Sequence, residues 1–239
     1  MFLFPRLPSV RAVAPICAAV AIIAAGAAGA ANNRIGGVSQ QEYKGAVGAP
    51  AGGAASPLYY ANDVYSGETV TTPQAGSTVL TFQDLTQLRV GGSSTVVLDH
   101  FVYDPSSRTG DAAINFSKGI FRFVTGDIKN KSNVKLTTPT TSLTIRGTNF
   151  KLVVTDAGSI VEVQDGYVEL KPCGGTPETR LVSPGEAVIV TASCNVKTLT
   201  LSDVPTDPGT DGGGGGGGNP PGGGDRHHEP SRGDGGNGG

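Results

Sequence analysis

The sequence predicts an all-β domain of short strands, of β-solenoid-like or β-sandwich type, and three observations lead there. From Leu58 to Leu201 the chain runs in short stretches rich in Val, Ile, Leu, Thr and Phe, broken roughly every eight to twelve residues by Gly, Asp, Asn or Pro. No stretch repeats its apolar residues at helical spacing over a normal helix length. The 239 residues include 37 Gly, one Met and no Trp, and 37% are hydrophobic, a supply too thin for a large helical enzyme or a coiled coil. The net charge of -2 lacks the basic footprint of a nucleic-acid binder, so no nucleic-acid partner is expected.

Residues 1–30 have the layout of a secretory signal peptide. Arg6 and Arg11 precede an Ala-rich apolar run from Ala12 to Ala31, and Ala28-Gly29-Ala30 fits an A-x-A processing site. The mature chain is then expected to begin near Ala31, and to be more acidic once both arginines leave. An uncleaved membrane anchor is the competing account, because the run is nearly long enough to span a bilayer. Ala and Gly are weakly hydrophobic, and the small residues stand where a peptidase needs them, which favours cleavage. No other segment approaches that length, so no membrane span is expected in the mature chain.

Residues 31–57 are small and polar with Gly and Ala clusters, and read as a flexible lead-in with one short strand near Ala46-Val47. The β domain is expected over 58–204. Strand runs are Val79 to Phe82, Leu88 to Val90, Val134 to Leu136, Leu143 to Ile145, Phe150 to Val154, Ile160 to Val163, Tyr167 to Leu170 and Ala187 to Val190. Asp156-Ala157-Gly158-Ser159 and Gln164-Asp165-Gly166 separate such runs and supply the residues of tight turns. An internal echo relates Val70-Thr71-Thr72-Pro73 and its sequel to Leu136-Thr137-Thr138-Pro139 and its sequel. A true repeat would favour stacked β coils, whereas a two-sheet sandwich shows the same strand spacing, and a Thr-rich sequence also produces such echoes by chance.

Of three cysteines, Cys17 leaves with the signal peptide, and Cys173 and Cys194 remain for an oxidising compartment. One disulfide between them is the simplest account, tying two neighbouring strand ends across a loop of about twenty residues; two free buried thiols are the alternative. Past Val204 no Ala, Val, Ile, Leu, Met, Phe, Tyr or Cys occurs, and 205–239 includes the unbroken Gly212 to Gly218 run. Such a tail has nothing to bury and is expected to be disordered.

Chemistry is sparse. His100 is the one His inside the expected domain, so no zinc-type ligand spacing can be assembled, and no metal or other cofactor is expected. Asp99-His100 lacks a nucleophile elbow, which leaves a hydrolytic triad unsupported. Asp127, Glu162 and Asp165 could in principle form a glycosidase pair but read more simply as turn residues and solvated strand faces. In the tail, His227-His228-Glu229 has the donors for weak transition-metal binding but no fixed geometry and reads as a solubilising segment, and Arg232-Gly233-Asp234 spells a cell-adhesion tripeptide that this composition produces by accident. Asn115-Phe116-Ser117 and Asn130-Lys131-Ser132 match the glycosylation sequon, which matters only in a eukaryotic secretory pathway. No enzyme is expected.

The most informative stretch is Thr137 to Phe150, in which Thr138, Pro139, Ile145, Arg146, Gly147, Thr148 and Phe150 resemble the T-P-x-x-x-x-x-I-R-G-T-x-F signature of the FecR domain family. Weaker elements follow the family order. Gly67 to Thr72 is similar to the opening G-[DE]-x-[VI]-x-T segment. Leu80 to Leu88 is similar to an F-x-D-G-[ST]-x-L strand pair, with Leu85 in place of Gly. Gly119 to Gly126, Val163 to Val168 and Pro184 to Val188 resemble the later elements. Bottom-up, Arg146 between Ile145 and Gly147 is expected at a strand end facing a carboxylate or turn carbonyls, with Gly147 allowing close backbone approach.

The resemblance implies a non-enzymatic bacterial envelope domain, exported to the periplasm or surface of a Gram-negative cell. The best understood members relay iron-siderophore signals from an outer-membrane TonB-dependent receptor to an inner-membrane-tethered sigma factor regulator. The sequence departs from them in lacking a cytoplasmic segment before the hydrophobic run and in carrying a Gly-rich tail where they have a small α/β domain. What carries over is an interaction module for an envelope protein, with glycan contact left open; the alternative is a surface or extracellular structural protein.

Overall fold

The computed structural model describes residues 33–42, 45–175 and 178–206. The chain divides after Ala31, and all described residues lie in the unit Asn32–Gly239. The expected signal peptide, the His227-His228-Glu229 and Arg232-Gly233-Asp234 motifs and nearly all of the expected tail fall outside the described residues.

The described chain is all-β apart from two single 3-10 turns, at Lys131–Asn133 and Leu201–Asp203. In chain order the strands are β1 (Arg34–Glu42), β2 (Ala46–Ala49), β3 (Ser56–Leu58), β4 (Asp63–Tyr65), β5 (Glu68–Thr71), β6 (Ser77–Phe82), β7 (Gln87–Val90) and β8 (Thr95–Asp104). They continue with β9 (Thr109–Val124), β10 (Val134–Thr137), β11 (Thr141–Thr155), β12 (Gly158–Pro172), β13 (Arg180–Val182), β14 (Ala187–Thr191) and β15 (Val196–Leu199). Period-two burial runs through them: in β7, Leu88 and Val90 are buried between the outward Gln87 and Arg89.

Hydrogen-bonded neighbours form two runs. One reads β4-β1-β6-β7, then the second halves of β9 and β11, the first half of β12, β14 and β15. The other reads β3-β2-β5-β8, then the first half of β9, β10, the first half of β11, the second half of β12 and β13. Thus β9, β11 and β12 each leave one run and enter the other, and a glycine stands at each change: Gly119 (φ 122), Gly147 (φ 64) and Gly166 (φ 73). Among the described residues the β9–β10 ladder alone is parallel.

A single buried cluster draws on both runs. Phe82 of β6 stacks on Phe101 of β8 with ring centroids 5.0 Å apart, and Phe116 and Phe121, on opposite halves of β9, meet edge-on at 4.7 Å. A second, smaller cluster lies on the outer side of the first run, where Val153, Ile160 and Ala187 are covered by Val204. The turn at Leu201–Asp203 brings that residue back over the sheet.

Several expectations need amendment. The lead-in holds three strands, not one, because β1 is invisible to alternation. Its Gly36 lies against β6 so closely that a Cβ would come within 2.4 Å of the Thr81 carbonyl oxygen, and only Ile35 and Val38 mark its buried face. Asp156-Ala157 does turn the chain between β11 and β12, pairing Thr155 with Gly158. Gln164-Asp165-Gly166 does not; β12 bends there and continues, since its partner β11 bends opposite it. The sequence echo is local: β10 and β11 form a hairpin, while β5 and β6 pair with other strands. In both copies the hydroxyl of the Thr before Pro donates to a backbone carbonyl, from the β7–β8 loop in the first and within its own turn in the second. Thr72 Oγ1 donates to the Gly91 carbonyl (2.5 Å) and Thr138 Oγ1 to that of Thr141 (3.2 Å).

Candidate functional site: the central bend and the disulfide rim

The motif from Thr137 to Phe150 occupies the β10–β11 hairpin and the bend of β11. Ile145 and Phe150 are buried on either side of the bend, Phe150 with its ring 5.6 Å from that of Phe123. At the hairpin three hydroxyls form a relay. Thr140 Oγ1 donates to Ser159 Oγ (2.8 Å), Ser159 Oγ to Thr138 Oγ1 (2.8 Å), and Thr138 Oγ1 onward to the Thr141 carbonyl. Thr138 Oγ1 also accepts from the Thr141 amide (3.0 Å), so Pro139 sits in a turn held from inside.

Arg146 meets a carboxylate, as its setting suggested: its Nη2 donates to Glu169 Oε2 at 3.0 Å across the β11–β12 ladder, in a solvent-exposed pair. Gly147 requires the left-handed backbone but not space, because nothing lies within 4 Å of where its Cβ would be. The close approach expected at Gly147 belongs to Gly166, whose Cβ would sit 1.9 Å from the Gly147 carbonyl oxygen. Thr148 is 2% exposed; its amide donates to Thr125 Oγ1 (3.1 Å), and its own Oγ1 is buried with no hydrogen-bond partner. Leu85, standing where the family pattern has Gly, has φ 68, which is the physical reason for glycine there. The motif is therefore a structural corner.

Cys173 and Cys194 are bonded, with Cα atoms 5.1 Å apart. The bridge joins the end of β12 to the loop between β14 and β15, and the Cys173 amide donates to Thr140 O (2.8 Å), linking it to the hairpin. Beside it lies a cleft of about 440 Å³ lined by Pro172, Glu178, Arg180, Cys194, Asn195 and Val196, among others. Here β13 and β15, each at an end of its run, pair on one side only among the described residues. Leu181 (49% exposed) on β13 and Val196 on β15 carry apolar surface here. Sequence reasoning passed over both edge strands, which carry no alternation: in Val196-Lys197-Thr198-Leu199 the two apolar residues stand three apart and fall on opposite faces.

The candidates for catalysis are scattered. His100 Nε2 pairs with Asp111 Oδ1 (2.5 Å), not Asp99, on an exposed face of the β8–β9 ladder. Asp127 Oδ1 accepts from Arg108 Nη2 (3.2 Å), Glu162 stands opposite Lys151 in the β11–β12 ladder, and Asp165 opposite Asn149. Among the described residues no group of three His, Cys, Asp or Glu could hold a metal ion, and no helix is long and apolar enough to cross a membrane. Asn130 caps the first 3-10 turn, its side chain accepting from the Ser132 amide, and Asn115 lies within β9.

Two perturbed acids lie elsewhere. Glu68, 3% exposed in β5, has its carboxyl pushed above the usual value by burial, against which the Tyr65 amide donates to Oε2 (2.9 Å). Asp104, in the β8–β9 hairpin, is held down at about 2 by hydrogen bonds from Ser106 and Ser107.

Residues 68–169 match the family described as FecR protein. Two crystal structures of a candidate anti-sigma factor from Parabacteroides distasonis ATCC 8503 are similar in part. Each overlaps 55% of this chain and 59% of its own, at 15% and 14% identity and TM-scores of 0.45 and 0.44. The chain thus spans about three fifths of those chains. No curated protein matches it.

Proposed function

The chain carries a FecR domain over residues 68–169, and from that premise we propose that it is an exported, non-enzymatic interaction module of the bacterial envelope, acting in signalling by docking a partner protein on the disulfide-linked rim of β13 and β15. The observation that carries this reading is the pair of strand edges that no described strand covers, beside one cleft, with apolar Val196 in its lining and Leu181 exposed on β13. An added strand could pair with either edge and seat alternate side chains in the cleft. The disulfide fits an oxidising compartment outside the cytoplasm. Residues 1–30 would supply the export signal. Of the two architectures, facing sheets suit the ladders better than stacked coils, since coils pair parallel from rung to rung and nearly every ladder here is antiparallel.

The test is in-cell crosslinking from a photoreactive residue at Leu181 or Thr198, with mass spectrometry of captured material from separated periplasm, membrane and medium. The proposal expects one membrane receptor or membrane-bound regulator, lost when the probe is moved to Tyr103 on β8. Capture of only abundant envelope proteins or polysaccharide would instead make the chain a structural or adhesive module.

A further inference from the structure

The outer face of the second sheet run carries a groove with a chemistry of its own. Across β10, β11 and β12 the register aligns Lys135, Thr144 and Glu169 in one row and Thr137, Ser142 and Lys171 in the next. Both rows point away from the core, because the residues between them, Leu136, Leu143 and Leu170, are buried. They line a groove of about 300 Å³, about 10 Å across from β10 to β12 at two strand spacings. Tyr167, 47% exposed, stands on the same face two positions before Glu169 and directly opposite Arg146.

Charge on this face is lopsided. The acid in the groove lining, Glu169, already accepts from Arg146 Nη2 at 3.0 Å. Lys135 and Lys171 are exposed, and neither has an ion-pair partner among the described residues. The chain as a whole carries -2, so this local surplus of cations runs against its composition. Two lysines at diagonal corners attract a ligand whose negative charges are spaced along a chain. The short hydroxyl side chains between them both donate and accept, which suits a ligand dense in hydroxyls. Beside them the exposed tyrosine offers an apolar ring with a polar tip, against which the C–H face of a sugar ring packs. An acidic peptide would use the lysines but neither the hydroxyls nor the ring.

We propose that this groove binds an anionic glycan, its carboxylates held by Lys135 and Lys171 and a neighbouring sugar ring stacked on Tyr167. The site lies on β10 to β12 and does not rest on the docking reading of the β13–β15 rim.

The full-length chain would be titrated calorimetrically at low ionic strength with an oligogalacturonate, with neutral maltohexaose and with a hexaglutamate peptide. Saturable binding of the oligogalacturonate is expected, with both other probes about tenfold weaker or more. Affinity should fall about tenfold or more in Lys135→Gln/Lys171→Gln and in Tyr167→Ala, but not in Tyr167→Phe, which keeps the ring. Lys151→Gln, on the outer face of the other run, should leave binding intact. If a variant does not fold, the order of the three probes on the native chain decides. No saturation of the oligogalacturonate below about 10 mM, native-like affinity in the double lysine variant or in Tyr167→Ala, an equal loss in Lys151→Gln, or equal binding of either other probe would overturn the site. None of these outcomes bears on crosslinking from Leu181 or Thr198.

Discussion

Two threonines of one motif should respond in opposite directions to the same substitution. Thr148 is buried with an unpartnered Oγ1, while its backbone amide and carbonyl are held by Thr125 and do not depend on the side chain. An unsatisfied buried polar group costs about 1–3 kcal/mol, so Thr148→Val, which preserves branching and shape, should stabilise the domain by about 1 kcal/mol. Thr138 is the reverse case. Its Oγ1 accepts from Ser159 Oγ and from the Thr140 and Thr141 amides, and Ser159 is fully buried. Thr138→Val would strand the Ser159 hydroxyl and loosen the turn, at a cost of about 2–3 kcal/mol. Urea titration of both variants, read as the change in midpoint at constant slope, measures the two effects. A loss of stability in Thr148→Val, or a gain in Thr138→Val, would refute the assignment of which hydroxyl is satisfied.

Four further outcomes follow from the same geometry. Glu68 binds its proton more tightly in the fold than in the unfolded chain, so its contribution is fully present below the ordinary value of 4.5 and is lost as pH rises through the raised one. Glu68→Gln should therefore raise Tm at pH 7 to 8, with a gain that shrinks on acidification toward pH 4; a gain that grows instead would contradict the burial account. Carbon-detected NMR titration of Asp104 should give a midpoint of about 2, moving toward the ordinary 3.8 in Ser106→Ala and Ser107→Ala. Gly147→Ala should cost about 1 kcal/mol for its left-handed backbone alone. Gly166→Ala should cost at least twice that, because its methyl would meet the Gly147 carbonyl; equal losses in denaturation midpoints would argue against the tight crossing. Cys173→Ser should lower stability by about 3 kcal/mol through the loop it opens, and alkylation should shift gel mobility only after reduction.

Much of the β pattern was legible in the sequence because alternation reports directly on which face is buried. Leu88 and Val90, Phe150 and Leu152, and Val161 and Val163 face inward as their period-two spacing implied. The Cys173–Cys194 bridge and the turn at Asp156-Ala157 are set by local chemistry and chain proximity, and they too could be read ahead. Arg146 met a carboxylate as expected, Glu169 on the neighbouring strand, but from the bend in the middle of β11 and not from a strand end, because the chain continues past Gly147.

What only the tertiary structure decided is where the long strands change partners. A glycine with positive φ permits either a turn or a bend, and nothing local to Gly166 distinguishes them. The strand continues there because Gly147 bends opposite it and the two backbones pass within a contact that admits no Cβ. Gly36 hides β1 in the same way, through a close approach to β6 that leaves little apolar pattern to detect. The row from Lys135 through Thr144 to Glu169 joins residues more than thirty positions apart. It exists only because register across three strands aligns them, and register is a property of the assembled sheet.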